Sequence, residues 1–372
     1  MEYTKGYKFR LYPNKTQKII LNKILGCCRF IYNYFLAVRR ESWETDKKTV
    51  GYTQTSSMLT RLKKEISWLN EADSIALQQS LRNLDTAYQN FFKKGRGYPK
   101  FKSKKNRRQT YRTVSKIIRI EGKRIRLPKV GSIKFEQSRE IHGKILSATI
   151  TRTATEKYFV SLCVEEDIAD NLKRNNGGQI GIDVGLKEFY TDNFGNTVAN
   201  PRILRNLTVK LRREQRRLSK RKIGSNNRNK QRIKVARIYE RITNARLDFL
   251  HKESTRLCRE NQTIAVESLQ VKNLMKNRRL AKAISDVSWG EFFRQLAYKS
   301  VLHGCDLIKV PTFFPSSQTC SQCGFKNPIT KNLSVRKWIC PKCGVHHDRD
   351  INAAKNILRK ALEISTAGHA GS

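Results

Sequence analysis

The chain has 372 residues, 38% of them hydrophobic, with 76 lysines and arginines against 31 acidic residues and a formal charge of +45. That apolar share suffices for two or three compact units. Basic residues run through the whole length, so the surplus is not a tail; it calls for a polyanion, nucleic acid, and not for a membrane surface, since we see no long apolar run and no lipidation signal.

The opening Met1-Glu2-Tyr3-Thr4-Lys5 does not read as a secretory signal. Residues 7–12, Tyr-Lys-Phe-Arg-Leu-Tyr, alternate apolar and basic as a half-buried strand does, and Pro13 ends it. Lys8 and Arg10 stand as candidate nucleic-acid contacts. Thr16 is placed to cap a helix over 17–40, and further helical patterns cover 53–65 and 75–92. Residues 93–105 are rich in glycine and lysine. Lys93, Lys94, Arg96, Lys100 and Lys102 are candidate phosphate contacts there, with a solvated linker as the plain alternative. Strand patterns follow at 123–127, 132–135, 145–152 and 157–164, an expected small antiparallel barrel completed by residues 7–12. Residues 1–13 and 103–176 would form this barrel and 14–102 a helical insertion in it. Residues 167–178 read as a linker.

A second domain is expected over 177–315 and 345–372. It opens with a strand, Ile180-Gly181-Ile182-Asp183-Val184, followed by two short strands around the turn-rich 192–196. Two basic helices are expected at 207–221 and 231–260, split by Gly224-Ser225-Asn226-Asn227. A strand at 263–267, a helix at 289–303, a strand at 306–310 and a final helix at 350–362 complete an α/β alternation.

Cys320, Cys323, Cys340 and Cys343 have the spacing C-x2-C-x16-C-x2-C, that of a four-thiolate zinc site. Gly324 and Gly344 follow the second cysteine of each pair, where the backbone must turn sharply. Four filled positions imply one structural Zn2+ with no open coordination, in an insert over 316–344. His346 and His347 are expected to lie outside the ligand set. The other five of the nine cysteines read as small core residues in a reducing cytoplasm.

Three acids stand out. Asp183 sits in an apolar strand between Gly181 and Gly185. Glu267 ends the apolar run Thr263-Ile264-Ala265-Val266. Asp350 opens the last helix, where Ala353 and Ala354 permit a close approach to a sheet. A charge in such a strand is costly unless paired or metal-bound. Each acid alone has a structural reading: a turn-former, an ion-pair partner, and for Asp348 or Asp350 a helix N-cap. Together they suit a phosphodiester-cleaving site in which carboxylates hold two Mg2+ ions about 4 Å apart.

Gly181-Ile182-Asp183-Val184-Gly185, Val266-Glu267-Ser268-Leu269 and Asp348-Arg349-Asp350-Ile351-Asn352-Ala353-Ala354 resemble the three RuvC-type nuclease motifs of the TnpB family. The ribbon just before the third motif, the opening through Pro13, Gly26-Cys27-Cys28-Arg29-Phe30-Ile31-Tyr32-Asn33 and Ser288-Trp289-Gly290-Glu291-Phe292 are similar to that family too, so the likeness covers nearly the whole chain. It implies a RuvC/ribonuclease H-like α/β nuclease domain after the barrel and helices, in a multi-domain α+β chain. It also implies Asp183, Glu267 and Asp350 as catalytic residues, a guide RNA from the element's own end and a double-stranded DNA target. The implied setting is a monomer at the nucleoid of a prokaryotic cytoplasm. Two other functions use the same pattern: a DNA-joining transposase, and an RNA-guided repressor, which would be expected to have lost catalytic acids that this chain retains.

Overall fold

The computed structural model describes residues 2–106, 108–114, 116–167, 177–332 and 334–369. It divides into two compact units, Met1–Asp170 and Asn171–Ser372.

The first unit runs β1 (Glu2–Tyr12), α1 (Lys15–Asp46), α2 (Tyr52–Glu65), α3 (Ser74–Lys94), β2 (Gln109–Thr113), β3 (Arg119–Glu121), β4 (Arg124–Leu127), β5 (Gly131–Glu136), β6 (Lys144–Arg152) and β7 (Tyr158–Asp167). Its strands form one antiparallel sheet in the order β2-β6-β7-β1-β5-β4-β3. The expected barrel is therefore a curled seven-stranded sheet. The short β3 and the β2 edge have no ladder joining them among the described strands, so the sheet does not close. β1 is its spine, paired with β7 on one side and β5 on the other. Tyr7, Phe9 and Leu11 point into the core, as the alternation of residues 7–12 requires.

The helices share that core. Leu21, Ile24, Phe35 and Leu77 pack in one cluster with Phe9, Ile133 and Val160, so residues 14–102 are inserted in sequence but not separate in packing. The cap of α1 is Asn14, two residues before the expected Thr16. Its side chain accepts the Gln17 N–H at 2.8 Å and Gln17 returns the bond to the Asn14 N–H at 3.1 Å. This is the reciprocal box of Asn-x-x-Gln, which satisfies two otherwise orphaned donors. By length and composition α1 is apolar enough to cross a membrane, against the expectation of no long apolar run. Its Leu21, Ile24, Ile31, Phe35 and Leu36 lie in this core.

The second unit runs β8 (Gly178–Val184), β9 (Glu188–Asp192), β10 (Thr197–Ala199), α4 (Ile203–Ser219), α5 (Asn226–Glu260), β11 (Asn261–Glu267), α6 (Val271–Leu274), α7 (Ala281–Val287), α8 (Trp289–His303), β12 (Asp306–Val310), β13 (Lys337–Ile339), β14 (His346–Asp348) and α9 (Arg349–His369). Of the expected linker, residues 168–176 lie outside the described residues, and Gly178 already belongs to β8. The main sheet has the order β10-β9-β8-β11-β12. β8, β11 and β12 are parallel, and β9 runs against β8. α5 begins at Asn226, inside the stretch expected to be a break, because the Ser225 hydroxyl accepts the Arg228 N–H at 3.1 Å and caps it. α4 and α5 pack through Leu211, Val235, Ile238 and Ile242, the apolar stripe on otherwise basic helices.

One face of the sheet carries α5 and α8, where Ile180, Ile182, Ile264 and Val266 pack with Leu250, Leu257, Phe292 and Leu296. The other carries α9, where Ala265 and Val310 meet Ile357 and Ala361. Gly181 makes that second contact close. A side chain there would sit 2.3 Å from the Ala354 carbonyl oxygen and 2.8 Å from the Leu358 Cβ, so glycine admits the helix.

Candidate active site and metal centre

Strand alternation decides where the acids point. Ile180 and Ile182 face α5 and α8, so Gly181 and Asp183 face α9. Ile264 and Val266 face α5 and α8, so Ala265 and Glu267 also face α9. Val266 registers against Ile182 across the parallel pair, which sets Glu267 beside Asp183 at the ends of adjacent strands. Asp350, in the first turn of α9, closes the third side. The three line one cleft of about 270 Å³ with Ser316, Arg336 and Arg349.

The electrostatics follow from this convergence. Asp183 is half-buried and lines the cleft. Desolvation, then the charges of Glu267 and Asp350, push its carboxyl well above the usual carboxylate range, with Arg349 and Arg336 opposing. Desolvation also raises Glu267, against the hydrogen bond that Ser316 Oγ donates to Glu267 Oε1 at 2.5 Å. The Arg336 guanidinium reaches both oxygens of Asp350, at 3.2 and 3.3 Å. Asp348 acts on the backbone instead. Its Oδ1 accepts the N–H groups of Asp350 and Ile351 at 3.0 and 3.2 Å and caps α9.

The cysteines come together as their spacing suggests. The sulfurs of Cys320, Cys323, Cys340 and Cys343 all lie within 4.8 Å of one another. Cys320 and Cys343 are 3.7 Å apart, and Cys323 and Cys340 are 3.6 Å apart. A tetrahedral thiolate shell around zinc has edges of about 3.8 Å, so the cluster fits such an ion. Gly324 and Gly344 take φ of +77° and +70°, and their N–H groups return to the carbonyls of Cys320 and Cys340 at 3.0 and 2.8 Å. His347 stacks on Trp338 with centroids 4.6 Å apart, and its Nε2 lies 3.0 Å from the Cys320 sulfur. Burial and Lys355 favour its neutral form, which can donate to that sulfur without displacing a cysteine.

The two clusters are wired together. β13 and β14 pair within the cysteine-rich segment, with Trp338 opposite His347, and β14 leads straight into α9. Asn352 bonds the Thr319 carbonyl and the Ser321 N–H, both at 2.8 Å. Asn356 donates to the Ser316 carbonyl at 2.8 Å and to that of Thr319 at 2.5 Å. These two buried amides hold the ribbon's entry against the helix that carries Asp350, and the same entry supplies Ser316 to Glu267. Ser316, Arg336, Asn352 and Asn356 were not picked out as site residues from sequence. Only the asparagines left a signal, an i,i+4 polar pair on a helix face that also holds Ala353 and Ile357.

Of the expected nucleic-acid contacts, Lys93, Lys94, Arg96 and Lys100 are exposed at and beyond the end of α3. Lys8 and Arg10 lie over the Phe159 ring, at 4.8 and 5.0 Å. Lys102 is turned inward: its ammonium stands 3.8 Å from the Tyr32 ring centroid, and its backbone exchanges bonds with Asn33.

Comparison with known proteins extends along the chain. Residues 161–278 match the OrfB_IS605 family model, described as "Probable transposase", and residues 289–357 match the Cas12f1-like TNB domain. Residues 1–48 match a model described as a helix-turn-helix domain, although here they form a strand and one uninterrupted helix. A candidate RNA-guided DNA endonuclease of Streptomyces pristinaespiralis is 39% identical over 98% of this chain and 91% of its own length. Another from Escherichia coli K12 is 32% identical over the whole of this chain and 94% of its own. The fold matches Cas12f1, solved in a complex with sgRNA and target DNA, with a TM-score of 0.58 at 14% identity over 96% of this chain and 98% of that one. With this identity over the full length, the chain belongs to the OrfB/TnpB family of insertion-sequence proteins.

Proposed function

We propose that this chain is an RNA-guided, magnesium-dependent DNA endonuclease, with a RuvC/ribonuclease H-like nuclease domain that carries an inserted zinc ribbon. One observation carries the chemistry: Asp183 and Glu267 at the ends of adjacent parallel strands, facing Asp350 on the helix that crosses them. The RNA-guided part rests on the names of the relatives and on a charge of +45. Among the described residues the cysteines alone lie close enough to share one ion.

The hard oxygens of Asp183, Glu267 and Asp350 suit Mg2+, which when bound there supplies an activated water and charge stabilisation at the leaving oxygen. The protein's part is preorganisation. Ser316 fixes the orientation of Glu267. Asp348 sets the start of α9 and so the place of Asp350. Arg336 balances the charge of Asp350 at the mouth through which a phosphodiester must enter. The four thiolates hold one structural Zn2+ and so fix the loop that brings Ser316 and Arg336. The exposed basic residues of both units bind the guide RNA and the target duplex, and the protein works as a monomer on DNA in the bacterial cytoplasm.

The test is guide-programmed plasmid cleavage with magnesium and with chelator. Cutting that needs guide, magnesium and Asp183 is the expected result. Undiminished cutting in chelator, or joined strands in place of cut ones, would overturn it.

A further inference from the structure

A second groove lies beside the carboxylate cleft. It has a volume of about 730 Å³ and shares Glu267 with the cleft. Its floor is apolar, formed by Leu269 just past the end of β11 and by Phe293 on α8, both half-buried against the core. Two exposed cations, Lys272 on α6 and Lys309 on β12, stand on its walls, and Glu267 at its inner end is the only acid among its described lining residues. At Gly290, in the first turn of α8, an added Cβ would meet nothing within 4 Å. Gly290 lines the groove as backbone alone.

We infer that this groove receives the base and sugar of the nucleotide next to the scissile phosphate in the DNA strand being cut. The inference rests on the proposed nuclease reading of the carboxylates. A strand whose phosphate sits at Glu267 must place a neighbouring nucleotide on one side, and Glu267 also lines this groove. Its volume lies within the roughly 300–1,000 Å³ of small-ligand sites. An apolar floor with a ring accepts any base by its face, and two lysines match the adjoining phosphates. The two sides of Glu267 thus divide the work, oxygen donors for the reacting phosphate and an apolar seat for the nucleotide beside it.

Gly290→Met is the variant of choice. The position is helical, glycine is a poor helix former, and the new side chain enters open space, so the fold should hold. On a guided target, Gly290→Met should slow single-turnover cleavage roughly tenfold, within the range of base stacking, with target binding unchanged. An abasic residue walked along the cut strand should slow the wild-type protein at the nucleotide flanking the scissile phosphate. The same lesion should add little in Gly290→Met. Wild-type rates for Gly290→Met, or an equal abasic penalty in both proteins, would overturn the inference. A measurement without catalysis separates this from the nuclease reading. Asp183→Ala protein loaded with guide and target is irradiated with 5-iodo-deoxyuridine at successive positions. Crosslinks from one position to residues 269–273 or 290–293 support the groove even if the carboxylates prove not to be catalytic. Crosslinks confined to other segments sink it even if the carboxylates are catalytic.

Discussion

The four-thiolate cluster and the three-carboxylate cleft meet along residues 316–356, yet they are built on opposite principles. The thiolates are assembled locally: each Cys-x-x-Cys turn is closed by a glycine at positive φ and by an N–H returned to the first cysteine. The carboxylates are assembled by distant segments, two strands and a helix, and burial, then Glu267 and Asp350, raise the cost of charging Asp183. The first cluster is a fastening that local backbone geometry prepares. The second is a concentration of like charge that the surrounding fold must impose, which is what a site for cations and phosphate needs. The difference predicts how each responds to damage.

The largest effect is expected at the carboxylates. Asp183→Ala, Glu267→Ala and Asp350→Ala should each lower guided DNA cleavage about a thousandfold or more, with double variants little worse than single ones, because the three act as one unit. RNA binding, measured by filter retention, should stay within about twofold. Additive losses would mean that the acids act separately.

Next comes the fastening. Purified protein should hold about one zinc per chain by elemental analysis. Cys340→Ser should lose it, lower the melting temperature, and slow cleavage about tenfold to a hundredfold, since Arg336, Ser316 and α9 all depend on the ribbon's placement. Full cleavage by a zinc-free variant would show that the two clusters are not coupled.

Burial, with like charge added at Asp183, gives a sign for pH. Asp183 and Glu267 have folded pKa values above their unfolded ones near 4. Their contribution to stability is therefore complete below about pH 4 and is lost as pH rises through the raised values. In chelator, Asp183→Asn should melt above the wild type, by a margin that grows as pH rises above about 4. Histidines such as His303 and His347, whose pKa values burial lowers, are common to both proteins and cancel in the difference. Magnesium should narrow the gap by stabilising the wild type. A gap independent of pH, or one that shrinks as pH rises, would count against a convergent cluster of acids.

The same contrast explains what the sequence made legible. The cysteine knuckles are short-range patterns, so their spacing alone indicates a shared site. Asp183 and Glu267 were visible as charges in apolar strands, and the start of α8 and both ends of β12 were read directly from hydrophobic pattern and turn residues. The open curl of the first sheet was not legible, because closure depends on whether β2 meets β3, and no residue in either encodes that. Nor was Arg336, one arginine among many basic residues, distinguished only by where the ribbon folds back. The inward turn of Lys102 onto Tyr32 is likewise a tertiary choice in a stretch whose composition reads as a solvated loop.

The smallest effect is expected at Asp348, and it tests whether α9 is placed by its cap or by the ribbon. Asp348→Ala removes the acceptor of two N–H groups at the start of the helix. Loss of an N-cap costs about 1 kcal/mol, and here the first turn keeps other anchors. The Arg349 N–H bonds the Arg336 carbonyl at 2.8 Å, and Asn352 and Asn356 hold the next turns. Asp350 should therefore shift little. Asp348→Ala should retain most of the cleavage rate, far above Asp350→Ala, with a melting temperature lower by a few degrees. A loss as deep as that of Asp350→Ala, with zinc still bound, would place Asp348 among the metal-holding carboxylates and reassign the third acid.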